Sequence, residues 1–187
     1  MAIAGLDMLA EGTLAGKTLV CTIMSNAGLD AAIRAAGGQT VRTSVGDKNV
    51  IDEMLREGYN FGGEQSGHLI FREYSTTGDG LVAALQILRI MRTRQIPLSK
   101  LTQCWTRFPQ LVTNIVVREK RPFAEIADVE TLVAAADTDL KAQGGRVLLR
   151  YSGTEPKARL LLEGRDAAAL ESWSKKISEV IRKHVGA

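Results

Sequence analysis

The chain changes its hydrophobic period several times, and each change marks an element. Residues 18–23, Thr-Leu-Val-Cys-Thr-Ile, form a continuous apolar run with β-branched members, which predicts a strand buried on both faces. Residues 29–36 are alanine-rich and stop at Gly37-Gly38, as a helix with a glycine terminus does. Residues 40–45 predict a second strand, and residues 49–56 a helix ending before Gly58. Residues 59–61 begin a third extended piece, interrupted by Gly62-Gly63, and residues 68–71 make a short fourth strand. From Thr77 a long helix follows, in which Leu81, Leu85, Leu88 and Met91 form one apolar stripe of the kind that faces a core. It ends in Arg92-Thr-Arg94, cations at the negative end of the dipole, shortly before Pro97. This order predicts a three-layer α/β sandwich over residues 1–95.

The second half has another rhythm. Residues 111–117 predict a strand, and Val129, Leu132, Val133, Ala136 and Leu140 an amphipathic helix with Asp128 as its N-cap. Gly144-Gly145 turns the chain into a strand over 146–150, and a loop over 151–156 leads to a further strand over 159–163. Asp166 caps a last helix whose Leu170, Trp173, Ile177 and Val180 share a face. Residues 111–187 therefore read as a small α+β domain, an antiparallel sheet with helices on one face. Pro97, Pro109 and the aperiodic polar residues around them make residues 96–110 the expected linker.

Composition narrows the class. Hydrophobic residues at 45% and charged residues at 24% describe a folded globular chain and exclude disorder. A net charge of +3 suits a small anionic ligand; the arginines and lysines are dispersed and follow no nucleic-acid-binding motif. No apolar run reaches the roughly 18–20 residues that span a bilayer, and the first residues carry no basic, apolar export pattern. Cys21 and Cys104 stand alone, which fits a reducing compartment without disulfide or zinc. A cytoplasmic protein with no nucleic-acid or membrane partner is expected.

Two loops carry more chemistry than a connector needs. In Gly62-Gly-Glu-Gln-Ser-Gly-His68, glycines allow tight backbone approach, while Glu64, Gln65, Ser66 and His68 supply charge and hydrogen-bonding groups. A carboxylate can accept from two neighbouring hydroxyls of a sugar; a solvated turn is the plainer alternative. In residues 150–159, Arg150 and Arg159 leave the two flanking strands and can clamp one phosphate. Between them Ser152, Gly153 and Thr154 offer hydroxyls and successive N–H groups, the makings of an anion nest. Asp47 and Lys48 fall at the C-terminal end of a strand, where α/β sheets bind ligands, and also where a helix cap belongs. Thr76 to Gly80 precedes the long helix and reads first as its cap; Asp137 and Asp139, inside a helical pattern, read as surface charge.

Residues 63–68, residues 76–80 and the Arg150-x-Ser-Gly-Thr-Glu-Pro156 segment together resemble the α-D-phosphohexomutases. Gln65, Met24-Ser-Asn26 and Val45-Gly-Asp47 are similar to the bacterial phosphoglucosamine mutase branch of that family. The resemblance implies four domains and interconversion of glucosamine 6-phosphate and glucosamine 1-phosphate through a bisphosphate. It also implies a phosphoserine in the first domain and Mg²⁺ held by a D-G-D-x-D-R loop in the second. By that likeness Glu64 and Ser66 hold the sugar, with His68 beside them as a proton shuttle. Arg150, Ser152, Gly153, Thr154 and Arg159 hold the phosphate, and Asp47 and Lys48 make further substrate contacts.

The sequence contains no Ser-His-Asn and no D-G-D-x-D-R. The resemblance thus covers only the third and fourth domains, and the chain by itself is expected to bind no Mg²⁺ and to lack turnover, because phosphoryl transfer needs a donor and a cation. A stand-alone phosphosugar-binding module, or a part of another phosphohexomutase, are the alternative readings.

Overall fold

Strand β1 (Thr18–Thr22) is buried along its whole length, and its side chains alternate between two apolar layers, as the pleat requires. Leu19 and Cys21 enter one cluster with Ala4, Met8, Leu29, Ile33, Ala83 and Ile90. Val20 enters the other with Val50, Met54 and Ile70. Helices α1 (Ala2–Ala10), α2 (Ala27–Ala35) and α4 (Gly80–Arg94) therefore cover one face, and α3 (Asp47–Glu57) the other. The sheet order is β2-β1-β3-β4. Strands β2 (Gln39–Thr43) and β3 (Phe61–Gly63) flank β1 in parallel, and β4 (Leu69–Phe71) returns antiparallel to β3. The computed structural model describes residues 1–187, and these three layers form its first unit, Met1–Arg107.

Several expectations need correcting. Gly62 and Gly63 do not interrupt the third strand; they are part of it. The leucine stripe of α4 is not its buried side: Ala83 and Ile90 are buried, whereas Leu81, Leu85 and Leu88 are 79%, 63% and 56% exposed. The helix is apolar on two sides, and periodicity does not say which one meets a layer shared with α1. The arginines of α4 do more than complement a dipole. Arg94 Nε donates to the buried Asp7 of α1 at 2.7 Å, and Arg89 Nη2 donates to it at 3.0 Å. Residues 96–107 are not a free linker, because α5 (Leu98–Leu101) and the following turn pack Leu101 and Trp105 into the first unit's core.

The second unit, Phe108–Ala187, is an antiparallel sheet of order β5-β7-β6. Its strands are β5 (Gln110–Val116), β6 (Arg146–Tyr151) and β7 (Lys157–Glu163). Ile115, Ala158, Leu160 and Leu162 point from the sheet to α6 (Ala127–Ala142) and α7 (Ala167–Val185), where Val129, Leu140, Leu170, Ile177 and Ile181 close the core. Asp166 caps α7, accepting from the N–H groups of Ala168 and Ala169. Asp128 is not the cap of α6: it lies in the first turn, where its carboxylate suits the dipole and meets Nε2 of His184 at 3.0 Å. Asp137 pairs with Lys141 at 2.6 Å, and Asp139 accepts from Trp173 Nε1 at 2.7 Å, so this pair is surface charge.

Candidate functional site

Two clusters stand out, one in each unit. The first is the tip of the β3–β4 hairpin. Glu64 N–H donates to the His68 carbonyl at 2.9 Å and Gly67 N–H to the Glu64 carbonyl at 3.2 Å, which closes a tight turn. Gly67 has φ +102, a conformation that suits glycine. At Gly63 a Cβ would overlap the His68 carbonyl oxygen, so the two chains approach too closely for any side chain there. Glu64 is then fixed by its side chain: Oε1 accepts from Gly46 N–H at 2.9 Å, tying the hairpin tip to the start of α3.

Asp47 is the first residue of α3, and its Oδ1 lies 3.3 Å from His68 Nδ1. That oxygen is shielded from solvent and has no hydrogen-bond partner of standard geometry. The fold thus gathers Asp47, Glu64 and His68, while Lys48, Gln65 and Ser66 are exposed around them. Carboxylate acceptors beside an imidazole and a hydroxyl match the alternating donors and acceptors of a sugar's hydroxyls. A pocket of about 340 Å³ opens alongside, lined by Glu64 and Gln65 together with Ser25, Asn26, Trp105 and Arg107. Asp79 caps α4, accepting from Leu81 and Val82 N–H at 2.8 and 3.0 Å, and so has a structural role.

Sequence reasoning missed Arg42. From β2 its guanidinium donates to the carbonyls of Thr22 and Ser25 at 2.9 and 2.8 Å and pairs with Asp30. It holds the turn over residues 22–25 that leads to the pocket-lining Asn26. An arginine in mid-strand gives no sequence signal of such a role, because its partners are backbone carbonyls.

Ligand atoms of Asp47, Glu64 and His68 lie within 4.8 Å of one another. One imidazole with two carboxylates suits a borderline transition ion. Mg²⁺ prefers near-octahedral oxygen ligands and retained waters, so these residues do not fit the Mg²⁺ that the resemblance implies.

The second cluster lies on the β6–β7 hairpin. Arg150 and Arg159 are direct cross-strand partners, and Asn114 of β5 continues the same row across the sheet. Alternation places this row on the face away from the helices, since Tyr151 and Ala158, one position on, belong to the helix-side core. Tyr151 stacks on Phe123 with ring centroids 4.2 Å apart and donates to the Arg121 carbonyl at 2.6 Å, so it faces away from the arginines. Two like charges directly opposed are unfavourable unless an anion sits between them.

The loop between the arginines is only partly the expected nest. Ser152 is buried: its N–H donates to the Lys157 carbonyl at 2.8 Å, and its hydroxyl accepts from Glu155 N–H at 3.3 Å. It shapes the loop from within. Gly153 and Thr154 are exposed, and Gly153 has neither positive φ nor crowding at its Cβ. Lys120, unremarked in the sequence, donates to the Ser152 carbonyl at 2.7 Å. Glu155 clasps Lys157 at 2.7 Å and Arg159 at 2.8 Å.

The hydrogen bonds from Lys157 and Arg159 hold the Glu155 carboxyl below its ordinary value. A lowered folded value means that this clasp is complete above the unfolded glutamate range of about 4.3 and is lost as pH falls through the folded value. Amide shifts over residues 152–157 are expected to move together in acid below that range, which a pH series of two-dimensional NMR spectra checks. Movement already centred near neutral pH would show that the clasp does not hold the loop.

The sequence matches the family model for phosphoglucomutase/phosphomannomutase alpha/beta/alpha domain III over residues 1–108, and the model for the C-terminal domain over residues 112–180. It is 50% identical over 186 residues to a phosphoglucosamine mutase of Syntrophotalea carbinolica, and 47% identical to that of Geobacter metallireducens. Each match covers 100% of this chain but 40% and 41% of those proteins, so the chain spans about two-fifths of their length. Among solved structures, N-acetylphosphoglucosamine mutase of Aspergillus fumigatus superimposes with a TM-score of 0.77 at 18% identity, covering 97% of this chain and 42% of that one. A phosphoglucomutase/phosphomannomutase family protein of Burkholderia thailandensis gives 0.67 at 20%, covering 99% and 43%. These two likenesses show a shared fold. Because the two family models cover nearly the whole sequence in consecutive order, the chain belongs to the phosphoglucomutase/phosphomannomutase family, as its domain III followed by its C-terminal domain.

Proposed function

We propose that the chain is the sugar- and phosphate-binding part of a phosphoglucosamine mutase that interconverts glucosamine 6-phosphate and glucosamine 1-phosphate. The observation that carries this is the in-register pair Arg150–Arg159 on the sheet face away from the helices, two forked cations of which Glu155 holds one. Gly153 and Thr154 add exposed donors, while Ser152 and Lys120 hold the loop. Glu64 accepts from sugar hydroxyls, with Ser66, Asp47 and Lys48 as further contacts. His68, beside Glu64 and Ser66 and 3.3 Å from Asp47, serves as a proton shuttle. The curated relatives named phosphoglucosamine mutase support the choice of hexose. One neighbour in structure, N-acetylphosphoglucosamine mutase of Aspergillus fumigatus, was solved with GlcNAc-6P and magnesium, which supports a phosphosugar ligand.

The chain alone contributes binding and no turnover. Binding groups that serve ground state and transition state alike do not lower the barrier, and this sequence has neither of the family's phosphoryl-transfer loops. No helix is long and apolar enough to cross a membrane, and a cytoplasmic setting suits two cysteines with no disulfide between them.

An NMR titration with glucosamine 1-phosphate, set beside glucosamine and inorganic phosphate, tests this reading. Saturable shifts over residues 150–159 are expected with both phosphates, at an affinity near ~1 mM or weaker, equivalent to about 4 kcal/mol. Shifts over residues 64–68 are expected only with the sugars. No shift in either loop at tens of millimolar, with the spectrum of a folded protein, would overturn the proposal, as would mutase turnover by the purified chain.

A further inference from the structure

The two arginines of the β6–β7 hairpin are held unequally. Glu155 Oε2 accepts from Arg159 Nη2 at 2.8 Å and its Oε1 from Lys157 Nζ at 2.7 Å, whereas Arg150, directly across the strands, pairs with no carboxylate. Arg159 Nε is shielded from solvent and has no hydrogen-bond partner. Nε and Nη2 share one edge of a guanidinium and suit two oxygens of one anion. Glu155 thus satisfies one donor of that fork and leaves the other unpaired, which a shielded donor tolerates poorly. The backbone of Glu155 is tied on both sides: its N–H donates to Ser152 Oγ at 3.3 Å, and its carbonyl accepts from Lys157 N–H at 2.8 Å. The carboxylate is thereby tethered beside Arg159 at high effective concentration.

We infer that Glu155 is an internal competitor for the phosphate site, holding Arg159 until an anion displaces it. The inference rests on the reading that Arg150 and Arg159 together bind a phosphate. A carboxylate with one bond to the fork yields to a phosphate group, whose higher charge and additional oxygens can meet Arg150 and both donors of Arg159. Lys157 lies two positions before Arg159 on β7 and shares its face, so the carboxylate keeps a cationic partner when it leaves. The fraction of chains in which Arg159 is released sets the apparent affinity. The contact therefore keeps small free anions, inorganic phosphate among them, from filling the arginine pair, and a phosphate ester needs further contacts with the protein to bind tightly.

The test titrates the chain, Glu155→Gln and Glu155→Asp with inorganic phosphate at about pH 8, where the dianion dominates, and follows residues 150–159 by NMR. Glu155→Gln is expected to bind phosphate at least ~tenfold more tightly than the parent. Glu155→Asp keeps the charge on a side chain one methylene shorter, and should gain affinity in the same direction by a smaller factor. Affinity that is equal or weaker in Glu155→Gln overturns the inference, because Glu155 would then position Arg159 for phosphate. So does a gain in Glu155→Asp of nothing while Glu155→Gln gains, because the local field and not the contact would then set affinity. A readout on the parent needs no variant: saturating phosphate should move the Glu155 carboxyl carbon resonance toward that of a solvated glutamate, and an unmoved resonance overturns the inference. Shifts in the parent with no gain in either variant sink the inference and leave the proposed function standing. No shift over residues 150–159 in any of the three folded proteins sinks both.

Discussion

Arg150→Ala is expected to take phosphate binding by the isolated chain below detection without unfolding it. Arg150 supplies half of an in-register arginine pair, and its guanidinium has a geometry that lysine does not reproduce. Charge-assisted hydrogen bonds contribute about 1.5–3 kcal/mol each, so losing one or two from a site near ~1 mM weakens it by roughly ten- to a hundredfold or more. Stability should move the other way or not at all. Arg159 keeps its Glu155 partner in the variant, and the variant no longer opposes two like charges across the strands. Phosphate titration by NMR and thermal unfolding on the same sample decide the matter. Binding lost at an unchanged or higher melting temperature is the expected result. A melting temperature lower by more than ~4–8 °C, the equivalent of about 1 kcal/mol in a domain of this size, would instead make Arg150 a structural residue. Arg150→Lys should keep the charge and recover only part of the affinity.

Gly63→Ala is expected to disrupt the sugar-facing loop and destabilise the first unit. The added methyl group would overlap the His68 carbonyl oxygen and come within 3.0 Å of Leu69 Cδ2. The first of these is backbone within a hairpin and cannot rotate away, so β3 and β4 must separate. Overpacking of this kind costs about 1–3 kcal/mol and occasionally more, and here it also breaks the Glu64 N–H to His68 carbonyl bond. Thermal unfolding should show a melting temperature lower by roughly 5–20 °C, and the Glu64 amide should exchange faster with solvent than in the parent. Gly153→Ala is the control: no atom lies within 4 Å of its Cβ position, so stability should change by less than ~0.5 kcal/mol. Equal stability of Gly63→Ala and Gly153→Ala would refute the account of the hairpin given above.

Much of this molecule was legible in its residues. Continuous burial of β1 follows from an unbroken apolar run, and Asp166 announces the start of α7, because both signals are local. The convergence of Arg150 and Arg159 was legible too, since two strands joined by a short loop must pair. What stayed hidden depended on partners distant in sequence. Helix α1 mixes glycine, alanine and a charge with no clear stripe; its place comes from Asp7 meeting Arg89 and Arg94 and from packing under β1. The stripe of α4 was visible while its direction was not: a 3.6-residue period says which side chains share a face, and only the neighbouring layer decides whether that face is covered. Asp128 looked like a cap because its backbone conformation was unknown, and Ser152 looked like a ligand because the bonds that turn it inward come from across the loop. Local chemistry wrote the elements and their candidate groups; tertiary contacts chose the face, the partner and the role of each.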